Sequence, residues 1–184
     1  MKIVLTLLKC CALAYLILGC AVRGMGQGHL PDFQTAIGSD ESVLAGIDVN
    51  NTSLEQVWKT FGKPTEMQDD NPATDGVHGS RTYVWRKPRL VLTVGTFVSD
   101  KPNVPDLVFY VSVYGGNGAV GQTGRGLKLG DHYDDIVKYY GNQFRKQGRV
   151  MAIEWKTGAT LEIRWNKSGV INRLDLLGHN GFAP

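Results

Sequence analysis

Apolar residues recur along this chain at two spacings. Leu54, Val57, Trp58 and Phe61 fall at i, i+3, i+4 and i+7, and Tyr133, Ile136, Val137 and Tyr140 repeat that spacing. Positions so spaced share one helical face, so each segment predicts a short amphipathic helix with one stripe to bury. Gly62-Lys63-Pro64 stops the first helix and Gly141 the second. Thr52 with Glu55 spells a capping box, and Asp131 supplies the N-cap of the second helix. After each helix the period becomes two. Arg81–Arg86, Leu90–Val94 and Leu107–Tyr114 follow the first; Ala152–Lys156, Leu161–Trp165 and Val170–Leu177 follow the second. Pro88, Gly158 and Asn166-Lys167-Ser168-Gly169 supply the turns of antiparallel meanders.

The two sets match each other. Gly46-Ile47-Asp48-Val49 parallels Gly126-Leu127-Lys128-Leu129, and Trp85 parallels Trp155, with an offset of 79 at the helices and 63 at the last strands. The predicted class is α+β: a tandem repeat of a helix plus a three-stranded antiparallel meander, about six strands with the helices on one face. The units span 46–115 and 126–178, joined by a glycine-rich linker over 116–125 and followed by a tail over 179–184. Units of this size bury too little surface alone to offset conformational entropy, so the two should share a sheet or a core.

Alternation sorts the faces. Tyr83, Trp85, Leu90, Leu92, Val111 and Val113 should point at the first helix, and Ile153, Trp155, Leu161, Ile163, Trp165, Leu174 and Leu176 at the second. Opposite them, the second unit carries Glu154, Glu162, Arg164, Arg173 and Asp175, the pattern of an ordinary solvated surface. The first unit carries Val84, Val91, Tyr110, Ser112 and Tyr114 there, with few charges. An uncharged face bearing tyrosines suits a protein partner, because such rings bury much area at low entropic cost. These five are the candidate partner-binding residues; a cover of N-terminal segment or long loop is the alternative.

The first twenty residues read as a secretory signal, with Lys2 near the start and Lys9 splitting an apolar run too short in either half to span a bilayer. Ile17-Leu18-Gly19-Cys20 spells a bacterial lipobox in which Cys20 is lipidated, and a competing cleavage site lies after Gly26, with Gly24 and Gly26 before Gln27. Either implies export to the bacterial cell envelope, in the outer membrane or periplasm; the first adds a lipid anchor. Residues 21–45 suit a flexible tether. All three cysteines (Cys10, Cys11, Cys20) precede the body, which leaves it without disulfides, thiol catalysis or a cysteine–zinc site.

Charge and motifs narrow the function further. The 184 residues carry a formal +3, of which Lys2 and Lys9 leave with the signal, so there is no basic excess to bind nucleic acid. Gly116-Asn117-Gly118-Ala119-Val120-Gly121 spells GxGxxG, but no helix can start in the Gln122-Thr123-Gly124-Arg125-Gly126 that follows, as a dinucleotide site requires. His29, His78, His132 and His179 lack metal-ligand spacing, and Asp69-Asp70 with Asn71-Pro72 and Asp75-Gly76 misses the EF-hand pattern. No catalytic residue, cofactor or metal ligand is assigned on these grounds. The alternative is a secreted enzyme with a site around His132 and Asp134. The sequons at Asn50, Asn51 and Asn166 are better explained as a helix cap and a hairpin turn.

Thr52-Ser53-Leu54-Glu55-Gln56-Val57 with Phe61-Gly62-Lys63-Pro64, then Tyr83-Val84-Trp85, resembles the SmpA/OmlA family. Those are outer-membrane lipoproteins of the β-barrel assembly machinery. The tandem arrangement over 46–178 is similar to the β-lactamase-inhibitor-protein fold, in which two such units build one sheet that grips a protein. The resemblance implies the fold and a habit of binding proteins, and names no partner.

Overall fold

The structure is a computed structural model, and it describes residues 41–49, 51–71, 79–98, 105–115, 120–142 and 144–178. The signal, Cys20, the Gln27 site, most of the tether, His29, His78, His179, residues 72–78 and 116–119 and the tail lie outside the described residues.

Two short strands, β1 (Val43–Leu44) and β2 (Ile47–Asp48), form a small hairpin ahead of helix α1 (Leu54–Phe61). Strands β3 (Glu66–Asn71), β4 (Gly79–Lys87), β5 (Leu90–Val98) and β6 (Val108–Gly115) follow. A 3-10 turn over Tyr133–Asp135 runs into helix α2 (Ile136–Tyr140). Then come β7 (Arg145–Gln147), β8 (Val150–Glu154), β9 (Thr160–Trp165) and β10 (Ile171–Leu177). The eight longer strands make one antiparallel sheet, ordered β3-β4-β5-β6-β10-β9-β8-β7, so the last strand of each meander meets the other at the centre.

Register aligns the core in rows. Trp85, Leu92, Val113, Leu174, Ile163 and Met151 oppose one another strand to strand, and so do Tyr83, Val94, Val111, Leu176, Leu161 and Ile153. All twelve are buried. Both helices lie against this face. Trp58 meets Tyr83 edge-on at 6.3 Å, the Trp85 indole donates to the Gly62 carbonyl at 2.9 Å, and Tyr140 meets Trp155 edge-on at 6.4 Å. The alternation thus assigned the inner face correctly, and one apolar layer runs across β6 and β10 without a break.

Several local expectations shift. Each helix is followed by four strands, not three, because β3 and β7 flank the sheet. The capping box belongs to Ser53 and Gln56, not Thr52 and Glu55: Ser53 Oγ accepts from the Gln56 amide and Gln56 Oε1 from the Ser53 amide. Thr52 instead takes the Asp48 amide at 3.0 Å. Ahead of the second helix His132 is the N-cap of the 3-10 turn, with Asp135 reaching back to its amide, while Asp131 accepts from the Lys128 amide and α2 itself begins after Asp135 without a side-chain cap. Trp58 and Val137, expected within the buried stripes, are 41% and 43% exposed. Asn166 behaves as a turn residue, its Oδ1 accepting from the amides of Ser168 and Val170.

The two helix entries make the same backbone bonds. Leu54 donates to Asp106 and Val108 to Thr52; Tyr133 donates to Gly169 and Ile171 to Asp131. At the helix ends Gly62 donates to Trp58, and Gly141 to Val137.

The body begins before Gly46, and residues 120–125 are not a free linker. Leu44 bridges Thr123, and Ala45 donates to the Gln122 carbonyl. Glu41, only 4% exposed, fastens this junction. Its Oε1 accepts from the amides of Val43 and Gly124, and its Oε2 from the Arg125 amide and the Tyr140 hydroxyl. A Cβ on Gly124 would sit 2.8 Å from the carboxylate, so the absence of a side chain makes room for it. A buried carboxylate is tolerated here because its lone pairs are taken by four donors.

Candidate functional site

The candidate binding residues sit on the opposite face of the sheet, where register places them in two rows. One row runs Glu66, Val84, Thr93, Ser112, Asp175, Glu162, Ala152 and Arg145; the next runs Arg86, Val91, Tyr114, Arg173, Arg164 and Val150. Val84, Val91 and Tyr110 are half-buried, Ser112 is buried, and Tyr114 is 52% exposed. The structure brings all five onto one face over β4, β5 and β6.

Two further aromatics extend this surface. A register shift between Gly95 and Thr96 leaves Phe109 as the extra residue of a bulge beside Tyr110. Phe109 stacks on Phe97 at 4.1 Å, and a Cβ on Gly95 would lie 3.1 Å from the Phe109 ring. Glycine at this point lets the ring lie flat on the strand. The sequence reading stopped β5 at Val94 and so missed Phe97. The clue was present, since Thr93, Gly95 and Phe97 continue the parity of Val91.

The β10 side of this face is not the plain solvated surface its charges suggested. Asp175 is 8% exposed. The Tyr110 hydroxyl donates to its Oδ1 at 2.9 Å, and Arg173 Nε donates to its Oδ2 at 2.7 Å. Burial and then the Asp175 charge push the Tyr110 hydroxyl above the ordinary tyrosine range. Burial works against the Arg173 charge, but the bond to Asp175 and its charge outweigh that and hold the guanidinium protonated. Tyr110 therefore joins the centre of the sheet to its other half as well as facing outward.

At one end of the face lies an open groove of about 610 Å³, lined by Tyr114, Arg149, Arg164, Lys167, Arg173 and neighbouring backbone and side chains. Among the described residues no carboxylate lines it. Sequence reasoning missed Arg149 and Lys167, which come from the β7–β8 and β9–β10 turns and carry no periodic signal.

His132 and Asp134 are brought together, with Nδ1 3.1 Å from Oδ2, at 46% and 69% side-chain exposure. They sit at the entry to the 3-10 turn, where the His132 ring also caps the Asp134 amide and packs on Tyr133 at 4.7 Å. Among the described residues no group of three or more His, Cys, Asp or Glu could hold a metal, and no helix is long and apolar enough to cross a membrane.

Compared with known proteins, the chain matches no family, no curated protein and no solved structure.

Proposed function

We propose that the chain is an exported, non-enzymatic protein-binding module of the bacterial cell envelope, built from two copies of one helix-and-meander unit and tethered through a lipid on Cys20. The duplication is supported by the paired bonds at the helix entries. Thr52 and Leu54 lie 79 residues before Asp131 and Tyr133, and Asp106 and Val108 lie 63 before Gly169 and Ile171. The envelope assignment rests on the signal and lipobox, and on the resemblance to outer-membrane assembly lipoproteins. Cys20→Ser should move the protein from the membrane to the soluble fraction; retention in the membrane would refute the anchor.

The binding reading is carried by one observation: the outer face over β4, β5 and β6 presents Val84, Val91, Phe97, Phe109, Tyr110 and Tyr114, and its charge at the β4 margin, Arg86, is paired with Glu66 of β3. A surface that keeps an exposed tyrosine beside half-buried aliphatics loses little entropy when a protein covers it. Tyr114 is the residue to test, since its ring is exposed and lies outside the buried core. A photo-crosslinking residue at position 114 should capture an envelope protein that one at exposed position 137 does not. In the affinity of the purified pair, Tyr114→Ala should cost ~2 kcal/mol, about thirtyfold, with melting unchanged. Equal capture from both positions, or unaltered affinity, would place the site elsewhere.

A further inference from the structure

The arginines of the outer face are arranged against their own stability. Arg173 and Arg164 are direct cross-strand neighbours, and so are Asp175 and Glu162 in the next row. Like charges directly opposite each other are unfavourable in a sheet. Each arginine is compensated along its own strand, Arg173 by Asp175 and Arg164 by Glu162. The carboxylates stand in the row shared with Ser112 and Val84, and the arginines in the row shared with Tyr114 and Val91. The pairing thus turns positive charge toward the groove and negative charge away from it. Arg149 and Lys167 add two cations from the flanking turns, and neither forms an ion pair among the described residues.

We propose that this groove receives an acidic segment of the partner protein, whose carboxylates meet Arg149, Arg164, Lys167 and Arg173 while its neighbouring apolar residues cover Tyr114 and Val91. The proposal rests on the protein-binding reading and adds the chemistry of the partner. Three features favour an acidic peptide over a small phosphate ligand. The groove is open along the face and does not enclose a ligand. It is continuous through Tyr114 with the apolar strip of Val91, Val84 and Tyr110, so one extended segment can use both. Two of its four cations are already paired with carboxylates along their own strands, which suits singly charged carboxylates spaced along a chain better than one dense anion.

The test uses the purified full chain in detergent and a fluorophore-labelled oligoglutamate peptide, followed by anisotropy. The peptide should bind at low salt, and its affinity should fall steeply as ionic strength shortens the Debye length to ~8 Å. Arg149→Ala/Lys167→Ala should weaken it at least about tenfold, and Arg149→Glu/Lys167→Glu should abolish it, whereas Lys63→Ala, at the far end of α1, should leave it unchanged. Both altered residues lie in turns outside the strand ladders, so melting should stay at the wild-type value and confirm that the fold is intact. Equal loss with Lys63→Ala would reduce the effect to overall charge and overturn the proposal. Absence of peptide binding, or binding of inorganic pyrophosphate that resists competition by the peptide, would overturn it too. The crosslink from position 114 does not depend on these cations. If that crosslink persists while oligoglutamate fails, the acidic partner is refuted and the binding face stands; loss of the crosslink refutes the face itself.

Discussion

Replacing Glu41 by alanine tests what fastens the body together. Its carboxylate accepts four hydrogen bonds, but the losses are unequal. Gly124 keeps a second acceptor in the Val43 carbonyl at 2.9 Å, and the Tyr140 hydroxyl keeps Thr123 Oγ1 at 2.8 Å. The amides of Val43 and Arg125 lose the acceptor that Glu41 supplies. At ~1–3 kcal/mol for each buried donor left unsatisfied, plus a share for the tyrosine, Glu41→Ala should cost about 3–5 kcal/mol. Glu41→Gln should cost less, about 1–2 kcal/mol. The Tyr140 hydroxyl can reverse, accepting from the new amide and donating to Thr123, so the loss is confined to the bond that Oε2 accepts from the Arg125 amide. Urea unfolding followed by tryptophan fluorescence measures both, with a melting shift of roughly 2–4 °C per kcal/mol as a check. Tyr140→Phe should cost about 1–2 kcal/mol, and the double variant less than the sum, because both changes break one shared bond. A Glu41→Ala protein within ~0.5 kcal/mol of wild type, or strict additivity with Tyr140→Phe, would refute the network.

Two further outcomes follow from buried polar groups. Burial and the Glu41 charge raise the Tyr140 hydroxyl far above its ordinary value, and burial with Asp175 raises Tyr110. The folded state then holds protons that the unfolded chain releases, so stability is full below the usual tyrosine value of ~10 and falls above it, by up to ~1.4 kcal/mol per pH unit for each ring. Tyr140→Phe should flatten that alkaline loss, and an unchanged profile would rule the ring out as its source. The two matching tryptophans differ: Trp85 Nε1 donates to Gly62, whereas Trp155 Nε1 is buried with no hydrogen-bond partner among the described residues. Trp85→Phe should therefore destabilise by about 1 kcal/mol more than Trp155→Phe in the same urea assay, and the reverse order would contradict the assigned hydrogen bond.

The sequence by itself determined the helices, six of the sheet strands and the residues of the inner face. Those segments bury one side, and burial imposes a period of 2 or 3.6 that survives without a neighbour in view. It also carried the five residues of the outer face, because β4, β5 and the part of β6 beyond the Phe109 bulge alternate without interruption. Only the tertiary structure decided the rest. Strand β7 is Arg-Lys-Gln and wholly exposed, and β3 reads Glu-Met-Gln-Asp-Asp-Asn; as edge strands they have no face to bury and take their conformation from the open ladder beside them. The N-caps, expected at Thr52 and Asp131, stand one residue later at Ser53 and His132 because entry geometry, fixed by the bonds of Leu54 and Tyr133 to distant loops, chooses among adjacent polar side chains. Asp175 is charged and alternates outward, so nothing local marks it as buried; it becomes so because Tyr110, 65 residues away, lies beside it across the β6–β10 pairing and takes one of its oxygens. The basic groove draws Arg149 and Lys167 from two turns and Arg164 and Arg173 from two strands. Charge gathered from four places is a property of topology, and one-dimensional spacing cannot express it.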